Sequence, residues 1–474
     1  MLLYLQFIGD RKRAAIRRPF LVKKIDSDDN INLNPARVIV LIYLALILAG
    51  ALLLKAPLSA KNGESVSFLA ALFTSTSASC VTGLSSVDFA ETWSVFGKAV
   101  ILFLIQIGGL GFMSVTTVYF FILHKKIGLS QRLLLAQSMN VKELDGVVRL
   151  IRHVLFGTLM FESAGALAMS TRFVPEFGLW KGLGLSVYQS ISAFCNAGFE
   201  ILGENESLSS LSLYTGDTVV SLSIAVLVVI GGLGFFVWED IWRNKRFSRL
   251  HLHSKMVLTT TAILLVSAFI FFFITERNNP GTLGGMPLRE AVYADLYLAV
   301  MPRSGGMSAV DQSSLTGVSK LFSMILMYIG GSPGSTAGGI KNVCAGILLL
   351  SAVNTLRGKK NLSAFKKNIP NHMIVTALSI TITSLTICLT GAVIISVAQP
   401  DLPFTEVLFE TVSAVSICGL SHGITPSLTA VSNIVLIVLM IFGRLGIMTL
   451  GMAAFFNRAG ADKIKRPDDW VLLG

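Results

Sequence analysis

Four short phrases in this chain end on glycine after the same approach: FTSTSASCVTG at Gly83, YQSISAFCNAG at Gly198, LYLAVMPRSGG at Gly306 and FETVSAVSICG at Gly419. An aromatic residue or Leu stands ten residues before each glycine, and three copies place Ser-Ala six and five residues before it. What these phrases offer is backbone, because small residues and glycine stop a helix and release its last carbonyls. Four such turns around one axis would present peptide oxygens to a dehydrated cation, and a ring of carbonyl dipoles is a physical way to hold an alkali ion. The residues expected to line that ring are Val81, Thr82 and Gly83; Asn196, Ala197 and Gly198; Ser304, Gly305 and Gly306; and Ile417, Cys418 and Gly419. Glycine is needed at the last position because a Cβ would narrow the passage or forbid the backbone angles.

A second phrase follows each copy: IGGLG at Ile107, IGGLG at Ile230, IGGSPG at Ile329 and FGRLG at Phe442. Gly108-Gly109 and Gly231-Gly232 read as packing contacts that let a span approach its neighbours. The third copy opens a stretch too poor in helix formers to stay wound. It comprises Gly330, Gly331, Ser332, Pro333, Gly334, Ser335, Thr336, Ala337, Gly338 and Gly339. Irregular backbone at membrane depth is tolerated only against protein or a water-filled cavity, so this segment is expected to lie across the passage as a gate. Arg444 replaces the second glycine of the fourth copy. An arginine at mid-membrane costs about 3 kcal/mol or more and normally faces a cavity or a partner, unless it snorkels to an interface. Glu162 is expected to make a structural hydrogen bond and Lys341 to mark a span end. Arg303 and Asp311 flank the third turn and are expected to brace it by pairing.

These turns need a membrane frame. Hydrophobic residues make up 53% of the 474 and charged residues only 14%, well below the roughly 25% usual for soluble domains. Eight apolar runs can cross a hydrocarbon core of about 30 Å: 38–54, 95–123, 147–169, 218–238, 256–274, 315–353, 373–397 and 431–456. Between the two members of each pair lies a shorter semi-apolar segment, of re-entrant length, that ends in the glycine phrase. The third and fourth open at Pro287 and Pro403, proline being suited to a first helical turn. Each unit therefore reads as span, half-length helix, exposed backbone turn, span. The half-helices would aim their negative C-terminal ends at the common centre.

The net charge of +12 does not call for nucleic acid. Most basic residues lie in five segments: up to Arg37, Lys125 to Arg152, Arg243 to Lys255, Arg357 to Lys367, and from Arg458 onward. They alternate with connections carrying Asp88, Glu91, Glu204, Glu206 and Asp217. The excess of Lys and Arg puts the basic segments in the cytoplasm, with both termini inside and an even number of crossings. The N-terminus lacks the form of a signal peptide and is expected to form an amphipathic surface helix. Five cysteines without a CxxC spacing give no disulfide or zinc framework. The six His are scattered without an HExxH spacing, no phosphate-binding P-loop is present, and no organic cofactor or enzyme activity is expected.

At CVTGLSSVD (Cys80), FCNAGFE (Phe194), MPRSGGMSAVD (Met301), ICGLSHG (Ile417) and GGSPGSTAGGIK (Gly330), the chain resembles the potassium transporter superfamily of bacterial Trk and Ktr systems and plant HKT proteins. Within it the likeness is to the Ktr-type membrane subunit (KtrB). The resemblance covers nearly the whole chain and implies an all-α polytopic membrane protein of four M1–P–M2 repeats. Eight transmembrane helices and four re-entrant pore helices would surround a pseudo-fourfold central pore. The repeats fall at 38–124, 147–243, 254–353 and 370–456, with a gating loop at 330–339 and cytoplasmic ends at 1–37 and 457–474. It further implies potassium uptake across the plasma (inner) membrane, K+ held at the filter carbonyls, and one essential glycine per loop: Gly83, Gly198, Gly306 and Gly419. Gly83 is the position that becomes serine in sodium-selective plant members, and the resemblance also implies that Arg444 lies near the pore beside the gating loop, where it limits cation flow or clamps the closed loop. Activation by Na+, a homodimer in the lipid bilayer and a cytosolic ring of nucleotide-binding RCK/KTN subunits are implied as well, with docking expected on the basic loops. The third loop departs from the family, reading Ser-Gly-Gly-Met in place of Thr-Ala-Gly-Phe; the ungapped alignment and the bulky Met307 select Gly306 over Gly305. The alternative reading is a stoichiometrically coupled Na/K or H/K symporter of the same fold. The scarcity of acids in the spans and the parallel repeats favour a pore.

Overall fold

In the computed structural model, the described residues are 35–111, 147–201, 210–359, 361–446 and 449–451, all within one unit that begins at Pro35. The basic N-terminal stretch, most of the connection from Lys125, Glu204, Glu206 and the tail from Arg458 lie outside them. Among the described residues, fourteen α-helices of ten residues or more carry the architecture: α1 (Pro35–Lys55), α2 (Phe68–Cys80), α3 (Val95–Leu110), α4 (Val147–Phe177), α5 (Leu179–Phe194), α6 (Thr218–Leu233) and α7 (Phe235–Asn244), then α8 (Leu252–Glu276), α9 (Leu288–Val300), α10 (Gly317–Ile329), α11 (Asn342–Leu356), α12 (Asn371–Ala398), α13 (Phe404–Val415) and α14 (Ala430–Leu445). Between α11 and α12 a two-residue ribbon pairs Ser363–Ala364 with Lys367–Asn368.

The order repeats: a long helix, a short one, a glycine turn, then a medium helix. α1, α4, α8 and α12 are long and apolar enough to cross a membrane, and only 22–28% of their most apolar windows is buried inside the protein. A helix that is apolar all round yet exposes most of its surface is solvated by lipid. The short helices α2, α5, α9 and α13 are 12–16 residues long, too short to span, and are enclosed instead. Hydroxyls seat two of them on their own long helix at one register. Ser75, eight residues before Gly83, donates to Ile47 O at 2.7 Å; Ser190, eight before Gly198, donates to Glu162 O at 2.6 Å.

The medium helix of every set begins at a capping side chain. Ser94 accepts from Gly97 N, Asp217 from Val219 N and Val220 N, Thr316 from Ser319 N, and Thr429 from Ser432 N. Each cap satisfies N–H groups that have no partner inside the helix, typically worth about 1 kcal/mol. Pro287 and Pro403 stand at the N-caps of α9 and α13, immediately before the first turn.

The packing closes on itself. The medium helix of each set lies against the short helix of the next, α3 on α5, α6 on α9 and α10 on α13, while α14 returns to α2.

In three of the runs expected to continue as single spans, the helix ends at the last glycine of the second phrase. Gly111 (φ 79, ψ 138), Gly234 (φ 92, ψ 140) and Gly446 (φ 76, ψ 144) share one left-handed conformation, which an L residue rarely adopts. The run 218–238 accordingly turns by 92° between α6 and α7. In the runs 95–123 and 431–456, most of the chain beyond that glycine lies outside the described residues. The run 315–353 is broken between α10 and α11, as its glycine content requires. The four glycine phrases are thus carried at the C-terminal ends of the short helices.

Candidate functional site

The four repeated turns have one backbone design. The residue two before each glycine is left-handed: Val81 (φ 62), Asn196 (φ 58), Ser304 (φ 67) and Ile417 (φ 46). For the β-branched Val81 and Ile417 this is a true outlier, of the kind held in place only by surrounding structure and concentrated at functional sites. Each glycine then also has positive φ, from 69 at Gly306 to 95 at Gly83.

The shared Ser-Ala dipeptide explains how three turns are locked. The N–H groups of Thr82, Ala197 and Cys418 donate to Ser77 O, Ser192 O and Ser413 O at 2.8–2.9 Å. The serine hydroxyls add a second latch. Ser77 Oγ accepts from Gly83 N (3.1 Å), Ser413 Oγ accepts from Gly419 N (3.0 Å), and Ser192 Oγ donates to Phe199 O (2.8 Å). These bonds turn the loop N–H groups back onto the helix and take the loop backbone out of regular helical pairing. The third copy has Val300 at this position and a different pattern, Gly305 N donating to Met301 O at 2.8 Å.

The four glycines are neighbours in a ring. A methyl on Gly83 would lie 2.6 Å from Ala197 O and 2.9 Å from Gly198 Cα; one on Gly198, 3.0 Å from Gly306 Cα. One on Gly306 would lie 2.5 Å from Cys418 O and 3.4 Å from Gly419 Cα, and one on Gly419, 3.1 Å from Gly83 Cα. Gly306 joins this ring, whereas Gly305 packs against Met301 and Val228. Substitution at any of the four therefore meets backbone as well as strain.

The second-phrase glycines fit the turns to their own sets. A methyl on Gly108 would strike Ser79 O, one on Gly231 Phe194 O, and one on Gly443 Val415 O. All three oxygens stand four residues before the ring glycine. Gly109 presses on Cys195. In the third set Gly330 instead meets Gly338 O, because the helix there has already opened.

The opened segment, Gly330 to Gly339, runs directly against the ring. Gly331 N donates to Gly338 O (3.0 Å), Ser332 N to Gly232 O (3.0 Å), and Phe235 N to Gly334 O (2.9 Å). Thr336 Oγ1 donates to Phe194 O at 3.3 Å and meets the Asn196 amide at 3.3 Å. Gly338 N donates to Ser304 Oγ at 3.1 Å, and a methyl on Gly338 would overlap Ile417. Pro333 O approaches Gly234 closely, so the bend between α6 and α7 occurs where this segment passes. Ser332, Thr336, Ala337 and Gly338 are buried; Gly334 is exposed.

Arg444 ties three sets together. Its guanidinium donates to Thr336 O at 2.7 Å, to Gly109 O at 3.2 Å, and to Gly108 O. Lys341, at the N-cap of α11, donates through Nζ to Ala337 O at 2.7 Å. Glu162 accepts from Gln106 Nε2 at 3.1 and 3.2 Å, a structural link between α3 and α4. The expected Arg303–Asp311 pair does not form. Arg303 donates to Thr261 Oγ1 at 3.3 Å, while Asp311 caps its own turn through Ser313 N and the hydroxyls of Ser313 and Ser314. Burial pushes the Asp311 carboxyl up, but these hydrogen bonds outweigh it and hold it below the usual carboxylate range. The latches at Ser77, Ser192 and Ser413 were missed as functional residues, although their recurrence beside Ala was the signal.

On the far corner, Asp240 accepts from Asn244 Nδ2 (2.7 Å) and from His251 N (2.9 Å) and lies 2.8 Å from His251 Nδ1, tying α7 to the start of α8. Among the described residues no group of three or more His, Cys, Asp or Glu is placed to hold a metal ion.

Comparisons with known proteins agree on one kind of molecule. Residues 32–458 match the TrkH family model, described as a cation transport protein. The potassium/sodium uptake protein NtpJ of Enterococcus hirae is 38% identical over 93% of this chain and 98% of its own. The Ktr system potassium uptake protein B of Bacillus subtilis is also 38% identical, over 94% and 98%. The crystal structure of the potassium transporter TrkH from Vibrio parahaemolyticus superposes with a TM-score of 0.70 at 16% identity, over 95% of this chain and 89% of that one, which speaks for the fold alone.

Proposed function

The chain belongs to the TrkH family of cation transport proteins, and from that premise we propose that it is a potassium uptake pathway of channel type. It is an all-α multi-pass membrane protein of a transport family. In our reading the four turns are the selectivity filter of a single-chain pore with pseudo-fourfold symmetry. The observation that carries it is the ring in which Gly83, Gly198, Gly306 and Gly419 are each the next one's neighbour. Carbonyls turned out of helical pairing at membrane depth need a partner, at several kcal/mol each. A dehydrated K+ supplies one, assisted by the negative ends of α2, α5, α9 and α13.

The segment Gly330–Gly339 is the gate, held shut by Arg444 and Lys341. No energy source is needed within the chain, since a membrane potential supplies about 2.3 kcal/mol per charge per 100 mV. The four repeats supply eight crossings, with both termini cytoplasmic. Control falls to a cytosolic ring of nucleotide-binding subunits docking on the basic corners, one of which is the α7–α8 turn pinned by Asp240. We extend the proposal to a homodimer with one pore per protomer and to activation by Na+.

Complementation of a potassium-uptake-deficient bacterium tests the filter. Wild type restores growth at low K+, and Gly83→Ser abolishes the preference for K+ over Na+, because the side chain meets Ala197 O in a left-handed backbone. Unchanged rescue and preference in G83S would remove the filter assignment. Flux that is conductive and uncoupled from Na+ or H+ separates this reading from a symporter of the same fold.

A further inference from the structure

Three of the filter turns are latched by a serine hydroxyl of their own short helix, and the third is not. It has Val300 in place of that serine and carries an extra glycine, Gly305. Beyond the backbone bond from Gly305 N to Met301 O, its side-chain restraints come from neighbouring elements. Ser304 Oγ donates to Ser416 O of the fourth turn at 3.3 Å and accepts from Gly338 N of the glycine-rich segment at 3.1 Å. The Cys418 thiol adds weak contacts to Met301 O and Pro302 O, each at 3.5 Å. A hydroxyl has one proton and two lone pairs, so accepting from Gly338 directs its own proton toward Ser416. The result is a three-member chain, Gly338 N–H to Ser304 O–H to Ser416 C=O, that crosses from the segment through the third turn to the fourth. Ser304 is fully buried, so no bulk water replaces a lost member at once, and such chains strengthen one another in a low dielectric.

We infer that Ser304 is a positioning residue that couples the gate to the filter: the closed segment and the ion-holding geometry of the third and fourth turns bias each other through its hydroxyl. This rests on the filter and gate reading above and deepens it by naming the link. By linkage the bias runs both ways. A filter whose third and fourth turns are correctly spaced by K+ presents Ser304 Oγ to Gly338, while loss of that spacing loosens the gate. Asn196 and Ile417, which hold the corresponding place in their turns, also touch the segment, but neither bridges two turns.

The experiment compares wild type, S304A, S304C and S304T in proteoliposomes, each in the intact chain and in a chain shortened within residues 334–339. The readouts are K+ flux and the K+/Na+ permeability ratio from reversal potentials. In the intact chain S304A raises flux and lowers the ratio by about three- to tenfold, the size of one ordinary net hydrogen bond. S304T, which keeps the hydroxyl, restores both, and S304C falls between. In the shortened chain S304A produces no further rise in flux but still lowers the ratio, because the Ser416 arm persists without Gly338. A ratio unchanged by S304A and S304C overturns the coupling, as does an equal rise in flux with and without the segment. G83S is run alongside. If it leaves the ratio unchanged, the filter reading itself fails; if it abolishes selectivity while S304A does not alter it, only the coupling fails.

Discussion

Gly338 lies on Ile417 so closely that no side chain fits between them. The contact joins the glycine-rich segment to a residue of the fourth turn held at φ 46, and it leaves this position open only to glycine. Gly338→Ala should therefore lift the segment and raise K+ uptake at matched expression, an effect visible as faster growth at limiting K+ and larger flux in proteoliposomes. Lower or unchanged flux in well-expressed G338A would mean that this contact does not hold a closed state.

Arg444 makes charge-assisted bonds to the segment and to the end of α3, each typically worth about 1.5–3 kcal/mol. Arg444→Ala should raise flux by about tenfold or more and lower thermal stability in detergent. Arg444→Lys keeps the charge but not the fork that reaches several carbonyls, and should lie between. Shortening the chain within 334–339 should raise flux as well, and R444A added to that deletion should raise it no further. Additive increases would place Arg444 outside the gate.

The serine latches predict a graded pattern. Ser77→Ala and Ser413→Ala each leave a ring glycine N–H without its hydroxyl acceptor, costing about 1 kcal/mol or more, and should lower the K+/Na+ ratio severalfold. Both variants should still insert and fold. A ratio equal to wild type in both would assign these hydroxyls to stability alone.

Glycines of the second phrase should behave by what surrounds them. Gly108→Ala and Gly231→Ala drive a methyl into Ser79 O and Phe194 O, so folded yield or melting temperature should fall sharply. Gly184→Ala is the contrast. Gly184 lies within α5 with nothing near its missing Cβ, and alanine should stabilise by up to about 1 kcal/mol through helix propensity. Equal melting temperatures across the three variants would contradict the packing described.

Much of the site is legible without coordinates. The ring glycines, the broken run after Ile329 and the membrane frame follow from local chemistry, since glycine frees φ, short apolar segments cannot span, and basic connections stay outside the bilayer. Apolar length misled at Gly234, where the run 218–238 bends by 92°. A glycine at a packing contact and a glycine at a turn look alike in an apolar run, and the group that passes beside Gly234, the Pro333 carbonyl, is distant in the chain. Arg303 and Asp311 misled for a related reason. Opposite charges flanking one turn look like a pair, but Asp311 has nearer donors in Ser313 and Ser314.

By itself the amino-acid order determined which residues must leave helical backbone, because that depends on side chains within a few positions. Only the tertiary structure decided which of those turns touch: that Gly419 returns to Gly83, that Arg444 reaches Thr336 and Gly109, and that Ser304 stands between Gly338 and Ser416. Those contacts join separate repeats, and their geometry is set by how the long helices pack around the short ones, which no local pattern encodes.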